Sequence, residues 1–230
     1  MSRHRGRTKL TGWRRWVFPL VTAVAVPALL LAALEGGLRL AGYGAPATFL
    51  VPIAEGTPDG GVLTTNPRFG WRFFPPALAR EPVVTRLAAD KPEGTVRIVL
   101  LGGSAAMGTP DAAFGVGRML EALLSESFPD RRFEVVNAAM AAINSHVVRV
   151  IGRELADHSP DAFLVYLGNN EVVGPSGPGT VFAAFSTSLP LVRAGVWLQG
   201  TRTGQLLRDA AGRLGGRDDA AYLARWRGME

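Results

Sequence analysis

The sequence predicts an α/β fold, in which helices cover a parallel sheet, with one apolar helix ahead of that fold. From Val96 onward, short apolar segments alternate with segments that repeat apolar residues at helical spacing. Strand, helix, strand, helix, strand in this order favours right-handed βαβ units, because parallel strands need a long crossover between them. The apolar helix is indicated separately, by a basic N-terminus followed by a long uncharged stretch.

That uncharged stretch is long enough to cross a membrane. Residues 16–34 carry no charge, and at about 1.5 Å of helix per residue they approach the ~30 Å bilayer core. We expect a retained transmembrane signal anchor over residues 16–40. A cleaved signal peptide is the alternative, but the stretch exceeds the usual apolar region and no clear cleavage site follows it. A buried core helix is disfavoured by the basic residues that precede the stretch.

The head of the chain, residues 1–15, contains six basic residues and no acidic one. This bias predicts that the head stays in the cytoplasm and that the remainder of a single-pass protein lies on the outer, periplasmic side of the inner membrane. The head also accounts for the net charge of +6, because outside it the basic residues equal the 19 acidic residues in number. We therefore expect no nucleic-acid partner, and the lipid bilayer is the partner that the composition itself predicts.

Two further classes of site are excluded or disfavoured by composition. The chain has no cysteine, so it can form neither disulfides nor thiolate metal sites. Histidine, aspartate and glutamate are not clustered at metal-ligand spacing, so we expect no metal and no other cofactor.

Residues 41–95 are rich in glycine and proline and include an aromatic stretch, Phe69–Phe74. This composition predicts a connector that wraps the following domain, with a short strand or two, and not a separate folding unit. The α/β domain then occupies residues 96–230.

The elements of that domain follow from the apolar pattern. The expected strands are Arg97–Leu101, Phe133–Asn137 and Ala162–Leu167, and the expected helices are Phe114–Phe128, Ser145–Ala156, Thr201–Leu214 and Asp218–Arg227. Apolar residues of the first helix, such as Met119 and Leu123, are expected in the core. Arg149, Arg153 and Glu154 are expected on the solvated face of the second helix.

Three strand ends carry the polar groups that could support chemistry. They are followed by Gly102–Gly108, by Asn137–Ala142 and by Gly168–Glu171. The carboxyl ends of parallel strands meet at one edge of a sheet, so these groups should lie together. A serine on a tight glycine turn, Ser104, with hydrogen-bond donors around it is an arrangement that acyl transfer requires.

Other interpretations of these segments remain open. The glycine turn could be an ordinary strand-to-helix turn or a phosphate-binding loop, although it lacks the Gly-Lys-Ser/Thr ending of a P-loop. Asn170 and Glu171 could simply cap a turn.

The three segments together resemble the SGNH (GDSL-type) hydrolase family over roughly residues 97–171. The resemblance implies a three-layer αβα, flavodoxin-like fold, with Ser104 as the nucleophile and Asn170 as an oxyanion-hole donor. Gly103 stands where the family has aspartate. Ala142 stands at the glycine whose backbone N–H serves the oxyanion hole. Bacterial membrane-bound SGNH-like proteins, some of which continue into tetratricopeptide repeats, show a closer resemblance. It is carried by three segments: Phe69–Pro76, Asn144–His146 and Tyr166–Pro175.

The family's fourth segment, Asp-x-x-His, is absent from the sequence. The only histidines are His4, His146 and His158. His4 precedes the membrane segment, and His158 is expected at the opposite end of the third strand. His146 is therefore the only substitute for the family's general base, although its order in the chain differs from that of the family.

The resemblance implies a membrane-tethered serine ester hydrolase or O-acyltransferase, inactive if no base replaces the missing histidine. Its substrate would be an acylated carbohydrate or lipid. The alternative is a non-catalytic membrane-anchored binding or scaffold domain with a degenerate or truncated SGNH fold.

Overall fold

The structure, a computed structural model, describes residues 12, 14–53, 61–180 and 188–214. The chain divides into two compact units, residues 1–44 and 45–230. The expected helix Asp218–Arg227 and most of the basic head lie outside the described residues.

The first unit contains one long helix, α1 (Arg14–Leu40). Its segment Val17–Leu40 has a mean hydropathy of 2.4 and is nowhere buried, so by length and composition it could cross a membrane. Near its end, the Glu35 carboxylate accepts a hydrogen bond from Arg39 at 2.9 Å. The expected apolar N-terminal helix is confirmed, while its location in a membrane stays a prediction.

The second unit combines six strands with five α-helices among its described residues. The strands are β1 (Leu50–Pro52), β2 (Val62–Thr65), β3 (Arg86–Ala88), β4 (Thr95–Gly102), β5 (Arg132–Asn137) and β6 (Ala162–Tyr166). The helices are α2 (Ser104–Met107), α3 (Val116–Ser127), α4 (Ser145–Leu155), α5 (Leu189–Gln199) and α6 (Arg202–Leu214). Short 3-10 turns occupy Phe69–Arg72, Ala112–Phe114 and Ala156–His158.

The strands β5, β4 and β6 form a parallel sheet in that order, with β4 in the centre. Adjacent residues of β4 point to opposite faces of the sheet. A Cβ at Gly117 of α3 would lie 3.0 Å from the Leu100 side chain, and one at Gly152 of α4 would lie 3.2 Å from that of Leu101. The two helices thus contact opposite faces, and the mixed α/β class with a parallel sheet is confirmed.

The expected connector carries more structure than its composition indicates. Its strands β1, β2 and β3 form an antiparallel sheet of their own, where one or two strands were expected. Its phenylalanines lie in the core that also contains Val99 and Leu101 of β4. The Phe49 and Phe69 rings meet edge to face at 5.2 Å, an arrangement typical of stable aromatic pairs.

Polar contacts hold this segment to α4. The Glu154 carboxylate accepts the backbone N–H groups of Phe49 and Leu50, at 2.8 and 2.7 Å. The expectation that Glu154 lies on a solvated helix face is therefore wrong. Helical periodicity cannot reveal that an exposed-looking carboxylate satisfies the backbone of a distant strand.

A buried arginine joins several elements at the amino end of the parallel sheet. The Arg97 side chain is fully buried, and its Nε donates to the Glu134 carboxylate at 2.7 Å. Its terminal nitrogens donate to the carbonyls of His158, at 2.6 Å, and Ala88, at 3.2 Å. A buried cation of this kind is tolerated because a carboxylate neutralises its charge and its N–H groups donate hydrogen bonds.

Two parts of the second unit expose apolar side chains. Met119 and Leu123 of α3 are 53% and 61% exposed, so the expectation that they belong to the core is wrong. All five residues of the edge strand β6 are exposed as well. In both places the apolar pattern is present, but no described element covers it.

The segment after residue 188 forms two helices, of which only α6 was expected. The helix α5 begins Leu189-Pro190, and its buried residues Val192 and Val196 join the main core. An apolar stretch with a proline at its second position gives only a weak helical pattern. For this reason no helix was predicted at α5.

Candidate functional site

Ser104 lies at the carboxyl end of the central strand. β4 ends at Gly102, Gly103 makes the turn, and Ser104 begins the short helix α2. The turn needs glycine at position 102, because a Cβ there would lie 2.1 Å from the Tyr166 carbonyl oxygen. Ser104 is half-buried, and its hydroxyl makes no hydrogen bond to any described residue.

The three expected segments meet beside this turn. A Cβ on Gly103 would lie 3.2 Å from the Asn170 amide nitrogen and 3.9 Å from the Ile143 carbonyl oxygen. That amide donates a hydrogen bond to the Ile143 carbonyl at 3.2 Å. The structure therefore brings the strand ends together as the parallel topology predicts. A side chain at position 103 would require the Asn170 amide to shift by a few tenths of an ångström.

A shallow, open cleft lies over Ser104. Its lining residues come from the first segment, from the end of β6 and from the third segment that follows it: Gly103, Ser104, Ala105, Tyr166, Leu167, Gly168, Asn169 and Asn170. Tyr166 and Asn169 were not singled out from the sequence, although their position at the end of β6 could have indicated them. Ala142 and His146 do not line the cleft.

Ala142 adopts a backbone conformation that favours glycine. Its φ is +62°, in the left-handed region where a Cβ is sterically disfavoured. Its backbone N–H has no acceptor within the described part of the chain. Glycine would adopt this conformation without strain.

Asn137 has a structural role next to the serine helix. Its side chain donates to the Met107 carbonyl and accepts the Ala139 N–H, both at 3.2 Å. Its own carbonyl accepts the Thr85 hydroxyl at 3.0 Å. Asn137 thus connects the end of β5 to α2 and to the segment before β3.

Glu171 binds the start of α4, a role that the sequence analysis missed. Its carboxylate accepts the Ser145 N–H at 2.9 Å and the Ser145 hydroxyl at 2.7 Å. Acceptors at a helix N-terminus satisfy free N–H groups and complement the helix dipole. The neighbouring Asn144 is fully buried, and its amide donates to the Pro175 carbonyl at 3.0 Å, which holds the loop after Glu171 against the same helix end.

The two described histidines lie at opposite ends of the sheet. His158 follows α4 and approaches the Ala89 carbonyl at 3.5 Å, near the amino end of β4, so its exclusion as a base agrees with the geometry. His146 is half-buried in the first turn of α4, at the same end as Ser104. Within the described ranges it makes no hydrogen bond to Ser104, so this structure contains no formed serine–histidine pair.

No potential metal site appears among the described residues, since no three of their histidine, aspartate and glutamate side chains are grouped. The site contains a serine hydroxyl, an amide donor and backbone N–H groups around an open cleft.

No family model, curated protein or solved structure matches the chain.

Proposed function

We propose that the second unit is an SGNH-type serine ester hydrolase or O-acyltransferase domain, tethered to the inner membrane by α1 and facing the periplasm. The observation that carries the proposal is the convergence of Ser104, Asn170 and the Ala142–Ile143 turn at one edge of the parallel sheet. Helices on both faces of that sheet agree with the three-layer αβα arrangement of the family.

In the proposed mechanism the Ser104 oxygen attacks an ester carbonyl of an acylated carbohydrate or lipid while the base takes the serine proton. The ester's C–O bond breaks and its alcohol leaves with that proton, and the acyl group on Ser104 then passes to water in a hydrolase or to a second alcohol in a transferase. As the first residue of a helix, Ser104 has a backbone N–H without an intrahelical acceptor, which could bind the oxygen that becomes negative. The Asn170 amide and the Ala142 N–H would be the other donors. Asn170 would then exchange its bond to Ile143 for one to the substrate oxygen.

His146 is the candidate general base, because it lies at the same edge of the sheet as Ser104. An imidazole must come within hydrogen-bonding distance of the serine to accept its proton. A rotation of the His146 side chain or of α4's first turn is therefore required by the mechanism.

A non-catalytic binding or scaffold domain is the second candidate. It is favoured by the absence of any hydrogen bond to the Ser104 hydroxyl from the described residues. Such a domain would keep the cleft and the donors and use them to bind an acylated ligand without cleaving it.

Labelling with a fluorophosphonate, which reacts with activated serines, separates the two. We expect the full chain in detergent to be labelled, the Ser104→Ala chain not to be labelled, and a Ser127→Ala chain, changed at an exposed serine of α3, to be labelled normally. Loss of labelling in His146→Gln would identify the base, and Asn170→Ala should slow labelling by about 10²–10³ if its amide stabilises the oxyanion. A folded chain that is never labelled would exclude the hydrolase and favour the binding domain.

A further inference from the structure

A second open cleft lies away from Ser104 and is lined by cationic and amide side chains. Its side-chain groups come from the 3-10 turn Phe69–Arg72 and its approach, from the end of α5 and from α6: Arg68, Trp71, Arg72, Gln199, Gln205 and Arg208. The backbone of residues 45–47 completes it. Three of the lining residues are arginines and none is acidic. The side chains that line the cleft therefore carry a net positive charge.

The three arginines differ in whether their guanidinium groups already form hydrogen bonds within the protein. Arg72 donates to the Val196 carbonyl at 2.8 Å and to that of Ala47 at 3.4 Å, and Arg208 donates to the Trp71 carbonyl. Arg68 is exposed, and its guanidinium lies 5.0 Å over the Trp71 ring and makes no hydrogen bond or ion pair to another described side chain. Arg72 and Arg208 are thus held in place by backbone carbonyls, whereas the guanidinium of Arg68 is free to bind a ligand.

The positive charge in the cleft is only partly neutralised. The buried Nε atoms of Arg72 and Arg208 have no hydrogen-bond acceptor within the described ranges. Burial lowers the pKa of Arg72, and the negative charge of the Glu154 carboxylate offsets this effect only in part. Asp209 lies 3.6 Å from Arg208 and is the other nearby acid. An anion between the guanidiniums would reduce the cost of burying this charge.

The position of the cleft along the chain limits the source of such an anion. Gln205 binds both the N–H and the carbonyl of Ala45, each at 3.0 Å, so residue 45 is fastened at the cleft. Only residues 41–44 separate it from the end of α1. A fully extended chain of that length spans at most roughly 17 Å. If α1 crosses the membrane, the cleft is tethered within reach of the outer headgroup layer.

We propose that Arg68, Arg72 and Arg208 form a phosphate-binding site, which accepts the phosphate of an anionic lipid headgroup or of a soluble phosphate compound. Guanidinium groups bind phosphate oxygens through paired hydrogen bonds, which makes arginine the suited residue for this ligand. Trp71, stacked under Arg68, is a residue type enriched at the level of lipid headgroups. The lipid source rests on the proposed membrane tether, whereas binding of phosphate itself does not depend on ester hydrolysis.

The test measures the thermal unfolding of the full chain in dodecyl maltoside micelles by tryptophan fluorescence. One arm adds inorganic phosphate against chloride at equal ionic strength, and the other adds phosphatidylglycerol against phosphatidylcholine to the micelles. Ligands that bind the folded state raise the unfolding temperature, and the concentration dependence yields the dissociation constant. Arg68→Gln is the informative variant because its exposed side chain binds no described partner, and Arg131→Gln, at an exposed arginine outside the cleft, is its control.

We expect stabilisation by at least one of the two probes, about tenfold weaker binding in Arg68→Gln and unchanged binding in Arg131→Gln. Stabilisation by inorganic phosphate would support a soluble phosphate ligand, and stabilisation by phosphatidylglycerol alone would support the headgroup. The site is ruled out if neither probe stabilises the chain, or if Arg68→Gln and Arg131→Gln respond alike.

Discussion

Ala142 shows how a single backbone angle limits what a side chain can be. Its φ of +62° places a Cβ in a region where L-residues are strained, beside the turn that also contains Ile143. The strain is intrinsic to the residue and does not depend on how well its neighbours pack.

We therefore expect Ala142→Gly to stabilise the chain by about 0.5–1 kcal/mol, because relief of the left-handed strain exceeds the entropy that glycine adds to the unfolded state. The free energy of unfolding, measured in urea, tests this. The matched control is Ala156→Gly, at a φ of −62°, which should lose about 0.5–1 kcal/mol. Destabilisation by both changes would show that Ala142 is not strained.

Asp161 links protonation to stability at the amino end of the sheet. Hydrogen bonds from the Lys91 ammonium, at 2.8 and 2.9 Å, and from the Arg97 N–H, at 2.6 Å, hold the pKa of this exposed carboxyl below its ordinary 3.8. The folded state therefore prefers the deprotonated form. Its contribution is fully present above the unfolded-state pKa and is lost as the pH falls toward the lower folded-state value.

We predict that the free energy of unfolding falls less steeply with decreasing pH in Asp161→Asn than in the original chain. Unfolding in urea at a series of pH values from about 7 down to about 3 should give a shallower slope for this variant than for the original chain. Asp130→Asn, at an exposed carboxylate with no described partner, should leave the slope unchanged. Equal slopes for all three chains would contradict the assignment.

At the scale of elements, the carboxylate of Glu171 connects two segments of the candidate site. It accepts both the N–H and the hydroxyl of Ser145, so the loop after β6 is bound to the first turn of α4. That turn carries His146, the candidate base. The orientation of His146 thus depends on a residue more than twenty positions away in sequence.

Removal of this carboxylate should destabilise the chain and loosen the start of α4. Glu171→Ala is expected to cost about 1 kcal/mol, a typical value for a lost acceptor at a helix N-terminus, and to speed amide hydrogen exchange in the first turn of α4. Glu171→Gln keeps one oxygen and should cost less. Glu93→Ala, at an exposed glutamate with no described partner, serves as control, and exchange unchanged in Glu171→Ala would oppose a capping role.

At the level of the whole molecule, the parallel sheet ends in a strand that no other described element covers. β6 pairs with β4 on one side only among the described strands, and its Phe163, Leu164, Val165 and Tyr166 are between 40% and 56% exposed. A free edge of this kind pairs readily with another strand. Concentrated protein is therefore expected to self-associate through β6.

Val165→Lys should reduce that association, because a charge on an edge strand opposes strand pairing. Sedimentation of the full chain in detergent, over a range of concentrations, measures the effect. Val84→Lys introduces the same charge at a valine that is 78% exposed outside any strand, and it should not change association. Equal association of the two variants would show that β6 is not the contact.

The elements that could be predicted from the amino-acid pattern are those whose signals are local. Apolar runs marked β4, β5 and β6 within one or two residues, helical spacing marked α3, α4 and α6, and the uncharged stretch marked α1. The order of these elements was enough to predict a parallel sheet and the meeting of Ser104 with Asn170, because parallel strands end at one edge.

Features that depend on partners distant in sequence became visible only in the folded chain. The phenylalanines of the connector lie in the core, Glu154 and Glu171 bind backbone groups remote in sequence, and Met119 lies exposed. An apolar or charged pattern specifies a face of a helix or strand, but burial depends on whether another element covers that face. That information is carried by long-range contacts, which no local pattern contains.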